Sequence, residues 1–173
     1  MHDKYGKPDG QSLLDTMKII LLLTGKTTEK YISEGIEDFS ARIQKYIRFE
    51  IKTASELKNT KNMPVTEQKL KEGRMIIQSI GSDDYVMVLD ERGREVTTNV
   101  FSDQLGKVFM LSKKRIVFII GGPWGLSEEV HKRADETISL SRLTFSHQLV
   151  RLLFVEQLYR ALTVIKGVPY HHD

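Results

Sequence analysis

The sequence predicts an α/β domain in which a parallel sheet carries helices on both faces. Short, almost wholly apolar runs alternate along the chain with longer segments whose apolar residues recur every three or four positions. The short runs are typical of buried parallel strands, and the longer segments are typical of helices with one apolar face. No internal repeat and no linker interrupts this alternation, so we expect a single domain.

The composition indicates a soluble globular protein. Of the 173 residues, 40% are hydrophobic and 28% are charged, and the net charge of +3 is compatible with a polyanionic partner without requiring one. The absence of cysteine excludes disulfides, zinc ribbons and thiolate catalysis, and fits a reducing cytoplasm. The longest apolar region, 149–165, is interrupted by charged residues, so we expect no membrane span and no membrane partner.

The first sixteen residues differ from the rest of the chain. Residues 1–16 are polar, contain two glycines and a proline, and show no periodicity, whereas Met17 begins an apolar run. We therefore interpret 1–16 as an expression-derived leader or an upstream start, and 17–173 as the domain.

The elements of the first half follow from apolar spacing. Residues 19–23 form an apolar run that ends at a Thr-Gly pair, as a buried strand does. Pro64 suits the first turn of a helix. Backbone N–H groups there have no partner within the helix, so the missing N–H of proline costs nothing. The predicted order is a strand over 19–23, a helix over 28–47, a strand over 49–53, a polar loop over 58–64 and a helix over 65–80.

The second half repeats this pattern with clearer boundaries. We expect Asn99 or Ser102 to cap one helix and Ser127 to cap another, since their side chains can accept a hydrogen bond from the first turn. Gly167 is the expected stop of the last helix. The predicted order is a strand over 85–89 that ends in a turn at 90–93, a helix to about 111, a strand over 115–120, a helix to 136, a strand over 137–141 and a helix over 147–166.

The last predicted helix is apolar on almost every side. A helix of this kind must be buried all round. One side can face the sheet, and the other then faces either a second copy of the chain or further elements of the same domain.

Three strand ends are the expected ligand-binding edge, because ligands of open α/β sheets bind beyond the carboxyl ends of the strands. They are Leu89, the glycine pair that begins at Gly121, and the segment 140–145. The glycine pair allows close approach of a ligand, although it is also compatible with a plain turn. It matches neither the dinucleotide-binding fingerprint nor a Walker loop, and the chain has no G-x-S-x-G nucleophile motif.

Titratable side chains near this edge are few. The five histidines lack the spacing of metal ligands, and no pair of carboxylates stands out, so we predict no metal site. His147 and Arg151 lie four apart and share a face of the last helix, although His147 could equally be a solvated cap. Glu156 and Arg160 have the same spacing, which also suits a surface salt bridge.

Four motifs near the C-terminus resemble the RlmH family of SPOUT-class methyltransferases. They are Ile-Gly-Gly-Pro-Trp-Gly-Leu-Ser at 120–127, Ser-Leu-Ser-Arg-Leu-Thr-Phe-Ser-His-Gln-Leu-Val-Arg at 139–151, Glu-Gln-Leu-Tyr-Arg-Ala at 156–161 and Pro-Tyr-His at 169–171. Members of this family are bacterial enzymes that use S-adenosyl-L-methionine to methylate N3 of a pseudouridine in 23S ribosomal RNA. The resemblance covers 17–173 and is most specific in the last third.

The resemblance implies a fold, an assembly and a cofactor. The fold is a SPOUT-type parallel sheet with a C-terminal trefoil knot, and the assembly is a homodimer. S-adenosyl-L-methionine binds in the knot loops, and the matching positions are Leu89, Gly121, Leu140, Ser141, Arg142, Leu143, Thr144 and Phe145.

The resemblance also suggests which residues carry the chemistry. A base must accept the N3 proton, and His147 or His171 is the candidate. Arg151 would stabilise the imide anion or grip a phosphate, and Tyr170 would stack on a base or hydrogen bond to it. His172 stands where the family usually has Arg or Lys, which would make the RNA contact of the tail weaker or dependent on pH.

The expected partner is ribosomal RNA in the assembled ribosome, rather than DNA. Arg142, Arg160, Lys166 and the run 113–115 could contact phosphates, although 113–115 also suits an exposed helix end. Two alternatives stay open at this point, namely a non-catalytic dimer that binds RNA or the ribosome and a SPOUT methyltransferase that acts on transfer RNA.

Overall fold

Five parallel strands form one sheet at the centre of the molecule. The structure is a computed structural model that describes residues 16–54 and 57–169. The strands lie in the order β2-β1-β4-β3-β5. Their bounds are β1 Lys18–Thr24, β2 Arg48–Ala54, β3 Tyr85–Glu95, β4 Arg115–Ile120 and β5 Glu136–Ser139. Most of the predicted leader, and both Tyr170 and His171, lie outside the described residues.

Helices cover both faces of this sheet, which confirms the predicted α/β architecture. The helices α1, α3 and α5 pack on one face, and α2 and α4 pack on the other. Their bounds are α1 Lys30–Ile43, α2 Val65–Gln78, α3 Thr98–Phe109, α4 Glu128–Arg133 and α5 Leu149–Ile165. The predicted polar loop before α2 contains one 3-10 turn, Thr60–Asn62.

The two faces of the sheet are buried in two separate apolar cores. Alternate side chains of a strand point to opposite faces, so Ile19 and Leu21 enter one core and Ile20 and Leu22 enter the other. This double burial explains why β1 is apolar throughout. In the larger core the ring of Phe154 lies 4.8 Å from the ring of Phe118, which joins α5 to the centre of the sheet.

The third strand continues beyond the turn predicted at 90–93, so that prediction was wrong. Both Leu89 and Arg94 pair with Ile138, and the register of β3 against β5 shifts between them. At Gly93 the chain passes so close to β5 that a β-carbon would lie 2.6 Å from the carbonyl carbon of Ile138. A glycine within an apolar-then-polar run suggested a turn, whereas here it permits the close approach of two strands.

The helix caps were predicted with mixed success. Ser127 caps α4 as expected, and its Oγ accepts a hydrogen bond from the N–H of Val130. The cap of α3 is Thr97, and neither Asn99 nor Ser102 fulfils this role. The Oγ of Ser102 donates within the helix instead, to the carbonyl of Thr98.

The helix α4 ends at Arg133, three residues before the predicted end. The N–H of Asp135 donates to the carbonyl of Val86 at 2.8 Å, and the Asp135 carboxylate accepts from the N–H of Val86 at 2.7 Å. These two bonds draw the chain into the sheet and start β5 at Glu136.

The last helix is buried on the side that faces the sheet and is only partly covered on the other. Phe154 and Leu158 are buried, whereas Leu152 is half-buried and Val164 is 47% exposed. A helix wholly internal to one protomer is therefore wrong, and a second copy stays a prediction. Gly167 follows the helix with φ of +63°, as expected of a helix stop.

Two remaining expectations concern the surface. Arg160 and Glu156 form the salt bridge suggested by their spacing, with 2.7 Å between Nε and Oε1. In the described part of the chain, no helix is both long enough and apolar enough to cross a bilayer.

Candidate active site

A cleft of about 680 Å³ lies beyond the carboxyl ends of β3, β4 and β5. We call it the loop cleft. Seven of the eight positions predicted to contact a cofactor line it, and these are Leu89, Gly121, Leu140, Ser141, Leu143, Thr144 and Phe145. His147, from the segment before α5, lines it as well. Three strand ends that are distant in sequence therefore meet at one site, as the sheet order requires.

The floor of the loop cleft needs glycine at position 121. A β-carbon there would lie 3.0 Å from Cγ of Leu126 and 3.1 Å from the carbonyl carbon of Gly125. The glycine pair also closes a turn, since the N–H of Gly125 donates to the carbonyl of Gly122 at 3.1 Å. The glycine pair is therefore both a turn and a point of close approach, because the turn folds the chain back over Gly121.

A charged network forms one wall of the loop cleft. The Asp90 carboxylate accepts from the backbone N–H and from the guanidinium of Arg92, and lies 3.3 Å from Nε2 of His131. Burial by itself would raise the pKa of Asp90, but these hydrogen bonds and positive charges together hold it below its ordinary value. Asp90 is therefore ionised at neutral pH, and its charge is paired with that of Arg92.

The segment after β5 is shaped by its serines. The Oγ of Ser139 donates to the carbonyl of Ser141, and the Oγ of Ser141 accepts from the N–H of Leu143, each at 2.9 Å. Leu143 is left 73% exposed at the rim. Arg142 is the one predicted cofactor position that does not line the cleft, because its side chain turns outward and pairs with Glu95.

His147 lies between the loop cleft and a second cavity. Its imidazole is half-buried, and burial lowers its pKa, with a further contribution from the positive charge of Arg151. The imidazole is consequently neutral at pH 7, which is the form that can accept a proton.

Arg151 is fully buried beneath this position. Its guanidinium donates to the carbonyl of Thr24 at 2.7 Å and to Oγ1 of Thr27 at 3.0 Å. Arg151 thus fixes the loop that leaves β1, and its side chain is covered rather than presented to an RNA phosphate. Within the described residues, its Nε has no hydrogen-bond partner.

The second cavity, of about 620 Å³, opens beyond the end of β1. We call it the β1 cavity. It shares Pro123 and His147 with the loop cleft. Its other lining residues are Thr24, Gly25, Lys26, Thr28, Glu29, Leu57, Thr60, Gln68, Glu72, Gln148 and Arg151. No local pattern in the sequence indicates this cavity, because its lining comes from five separate segments of the chain.

One residue of the basic run 113–115 forms an ion pair inside the protein. Arg115 pairs with the buried carboxylate of Asp84, which also accepts from the N–H of Gly81 at 2.7 Å. Burial alone would raise the pKa of Asp84, but the bonds from Arg115 and Gly81 lower it. Across residues 16–54 and 57–169, no three His, Asp or Glu side chains are grouped to hold a metal ion.

Comparison with known proteins assigns the chain to a family. The model of a family described as "Predicted SPOUT methyltransferase" matches residues 17–171. The chain belongs to the SPOUT methyltransferase family. This confirms the resemblance found in the C-terminal motifs and agrees with the parallel sheet and its two helical layers, while the trefoil knot stays a prediction.

Close relatives of this SPOUT methyltransferase carry a common name. The Ribosomal RNA large subunit methyltransferase H of Christiangramia forsetii is 49% identical over 156 residues, which cover 90% of this chain and 99% of the relative. That of Parabacteroides distasonis is 46% identical over 157 residues, covering 91% and 100%. A solved tRNA methyltransferase structure from Aquifex aeolicus has a TM-score of 0.50 and 19% identity, covering 92% of this chain and 76% of that one, and shows the fold alone.

Proposed function

We propose that this SPOUT methyltransferase transfers a methyl group from S-adenosyl-L-methionine to N3 of a pseudouridine in 23S ribosomal RNA. The observation that carries the proposal is the convergence of three strand ends on the loop cleft, with seven of the eight predicted cofactor positions on its surface. The names of relatives at 46–49% identity support the choice of ribosomal RNA as substrate.

The residues of the loop cleft fit S-adenosyl-L-methionine. Its volume suits a nucleoside-sized ligand, and Leu89, Leu140 and Leu143 offer apolar surface for an adenine ring. Gly121 leaves the backbone of the floor accessible to the ligand because no side chain stands over it. When bound, the cofactor supplies an electrophilic methyl group on a sulfonium centre. The segment 140–145 would hold it mainly through backbone groups.

The chain's own contribution to the chemistry is orientation and proton transfer. His147 lines both cavities and is neutral at pH 7, so its imidazole would accept the N3 proton of the acceptor base and pass it to solvent. Holding the acceptor nitrogen in line with the methyl group provides much of the rate enhancement of a displacement.

The other predicted catalytic residues take supporting roles in this proposal. Arg151 positions the loop after β1, and its charge adds to the burial that lowers the pKa of His147. Tyr170 and His171 would contact RNA from the C-terminal tail, as the family resemblance implies.

The proposed assembly is a homodimer that acts on the assembled ribosome in the cytoplasm. The partly exposed side of α5, which includes Leu153 and Val164, offers an apolar surface for a second copy. A dimer of this small domain has few surfaces for reading bases, which favours a structured ribosomal substrate over free RNA.

The deciding experiment measures methyl incorporation from labelled S-adenosyl-L-methionine. Intact ribosomes that lack the modification and unmodified transfer RNA serve as parallel substrates. We expect label in 23S ribosomal RNA, at N3 of one pseudouridine. Incorporation into transfer RNA alone would refute the substrate assignment, and a failure of calorimetry to detect cofactor binding would refute the enzymatic role.

A further inference from the structure

The β1 cavity contains a carboxylate that the proposed chemistry does not use. Glu72 of α2 is 9% exposed, although it stands on a helix whose other charged residues are mostly solvated. Its Oε1 accepts a hydrogen bond from Nε2 of Gln68 at 2.9 Å. No described residue donates to its Oε2, so one acceptor remains available on the wall of the cavity.

The position of this oxygen places it at the junction of the two cavities. A β-carbon added to Gly122, which lines the loop cleft, would lie 3.8 Å from Oε2 of Glu72. His147 lines the same β1 cavity. A ligand in the β1 cavity would therefore meet a neutral imidazole and a carboxylate oxygen beside the expected site of the methyl donor.

Two proton acceptors on one cavity wall are the kind of groups that one edge of a particular pyrimidine base could bind. Pseudouridine carries N–H groups at both N1 and N3, on either side of one carbonyl carbon. Uridine has the N3–H group but has a C–H at the place of the second donor. An acceptor that faces this position would accept a hydrogen bond from N1–H of pseudouridine. With uridine bound, the same acceptor would be buried without a partner. Leaving a buried polar group unpaired is strongly unfavourable.

We propose that Glu72 is the residue that selects pseudouridine over uridine, by accepting a hydrogen bond from N1–H of a base seated in the β1 cavity. This rests on the proposed function and names the group that reads its substrate. Gln68 holds the carboxylate in place, and Leu57 and Pro123 offer apolar surface to the base. In this arrangement His147 faces N3, so recognition and proton removal occur at the two ring nitrogens that flank one carbonyl carbon.

The test compares two kinds of ribosome as substrates. One kind carries the target pseudouridine, and the other, from cells that lack the relevant synthase, carries uridine there. The measured quantity is the ratio of kcat/KM between them. A hydrogen bond to a charged group contributes about 10- to 100-fold, so we expect the wild-type ratio to lie in that range. The Glu72→Met variant has similar length and no acceptor oxygen, and we expect its ratio to approach one.

Two further variants make the outcome specific. Glu67→Gln on the same helix removes an exposed carboxylate that pairs with Lys71, and we expect it to keep the wild-type ratio. Glu72→Gln keeps the shape of the side chain and, through Oε1, its bond with the amide of Gln68. It places an N–H donor where Oε2 was, so we expect its ratio to approach one as well. Urea unfolding and calorimetric titration with S-adenosyl-L-methionine confirm that each variant is folded and binds the cofactor.

The results separate this inference from the proposed function. If the wild-type protein methylates neither kind of ribosome, the proposed function fails, and this inference fails with it. If it methylates both with equal kcat/KM, or if Glu72→Met slows both equally, the selecting role of Glu72 is refuted and the methyltransferase function stands.

Discussion

Replacing Gly121 by alanine should weaken cofactor binding by distorting the floor of the loop cleft. The new β-carbon would lie 3.0 Å from Cγ of Leu126 and 3.1 Å from the carbonyl carbon of Gly125. Leu126 is buried and cannot swing away, so the turn over 122–125 must shift by a few tenths of an ångström. Overpacking of this kind costs about 1–3 kcal/mol, and a loss of 1.4 kcal/mol in binding corresponds to about a tenfold weaker Kd.

Calorimetric titration with S-adenosyl-L-methionine at 25 °C measures this effect, and urea unfolding measures the accompanying loss of stability. Gly122→Ala is the matched control, because its nearest neighbour would be Cγ2 of Thr24 at 3.4 Å, an ordinary contact. We expect Gly122→Ala to change Kd by less than Gly121→Ala does. The reasoning would be refuted if Gly121→Ala bound the cofactor as tightly as the wild type while Gly122→Ala did not.

Three other perturbations test separate features of the molecule. The acid limb of the pH profile of kcat/KM should lie below the ordinary pKa of histidine, because burial and Arg151 lower the pKa of His147. Arg151→Met removes one of these causes and should move that limb to higher pH. An unmoved limb would contradict the role of His147. Gly106→Ala, in the middle of α3 with open space around the new methyl group, should stabilise the fold by about 0.5–1 kcal/mol in urea unfolding, and a loss of stability would count against the packing described. Asp84→Asn should cost about 1–3 kcal/mol at pH 7, because it weakens the bonds from Arg115. Since the folded-state pKa of Asp84 is lowered, this difference should be present above its unfolded pKa and vanish as the pH falls through the folded value, and a difference that persists there would contradict the assignment.

The sequence predicts the layers of the fold because buried positions are apolar, and the spacing of apolar residues differs between strands and helices. Within residues 16–54 and 57–169, the five strands and the five helices named above were predicted, and the sheet was predicted to be parallel. The end of β3 could not be predicted, because it depends on pairing with Ile138, which lies more than forty residues further along the chain. The cap of α3 is likewise decided by where the chain leaves β3, and Thr97, Asn99 and Ser102 are chemically similar candidates.

The candidate site was predictable where it follows the strand ends. Leu89, Gly121 and 140–145 were identified both from sheet topology and from resemblance, and all but one of these positions line a single cleft. The outward turn of Arg142 depends on its pairing with Glu95, which no local pattern shows. The burial of Arg151 depends on the loop after β1, which is more than a hundred residues away.

Glu72 could have been found from the sequence. It stands four residues after Gln68 and four before Ile76, which is buried in the smaller core. An acidic residue that is in phase with the apolar face of a helix is directed toward the interior, where it needs a partner or a ligand.

The shift in register at β3 has a consequence for how such enzymes can diverge. Because Leu89 and Arg94 both pair with Ile138, the residues between them have no partner of their own on β5. Inserting or deleting residues between Leu89 and Arg94 would reshape one side of the cofactor site, while both flanking segments stay paired in the sheet. Selection could thus adjust ligand preference at 90–92 with little effect on the thermodynamic stability of the domain, whereas Gly93 is fixed by its close approach to Ile138.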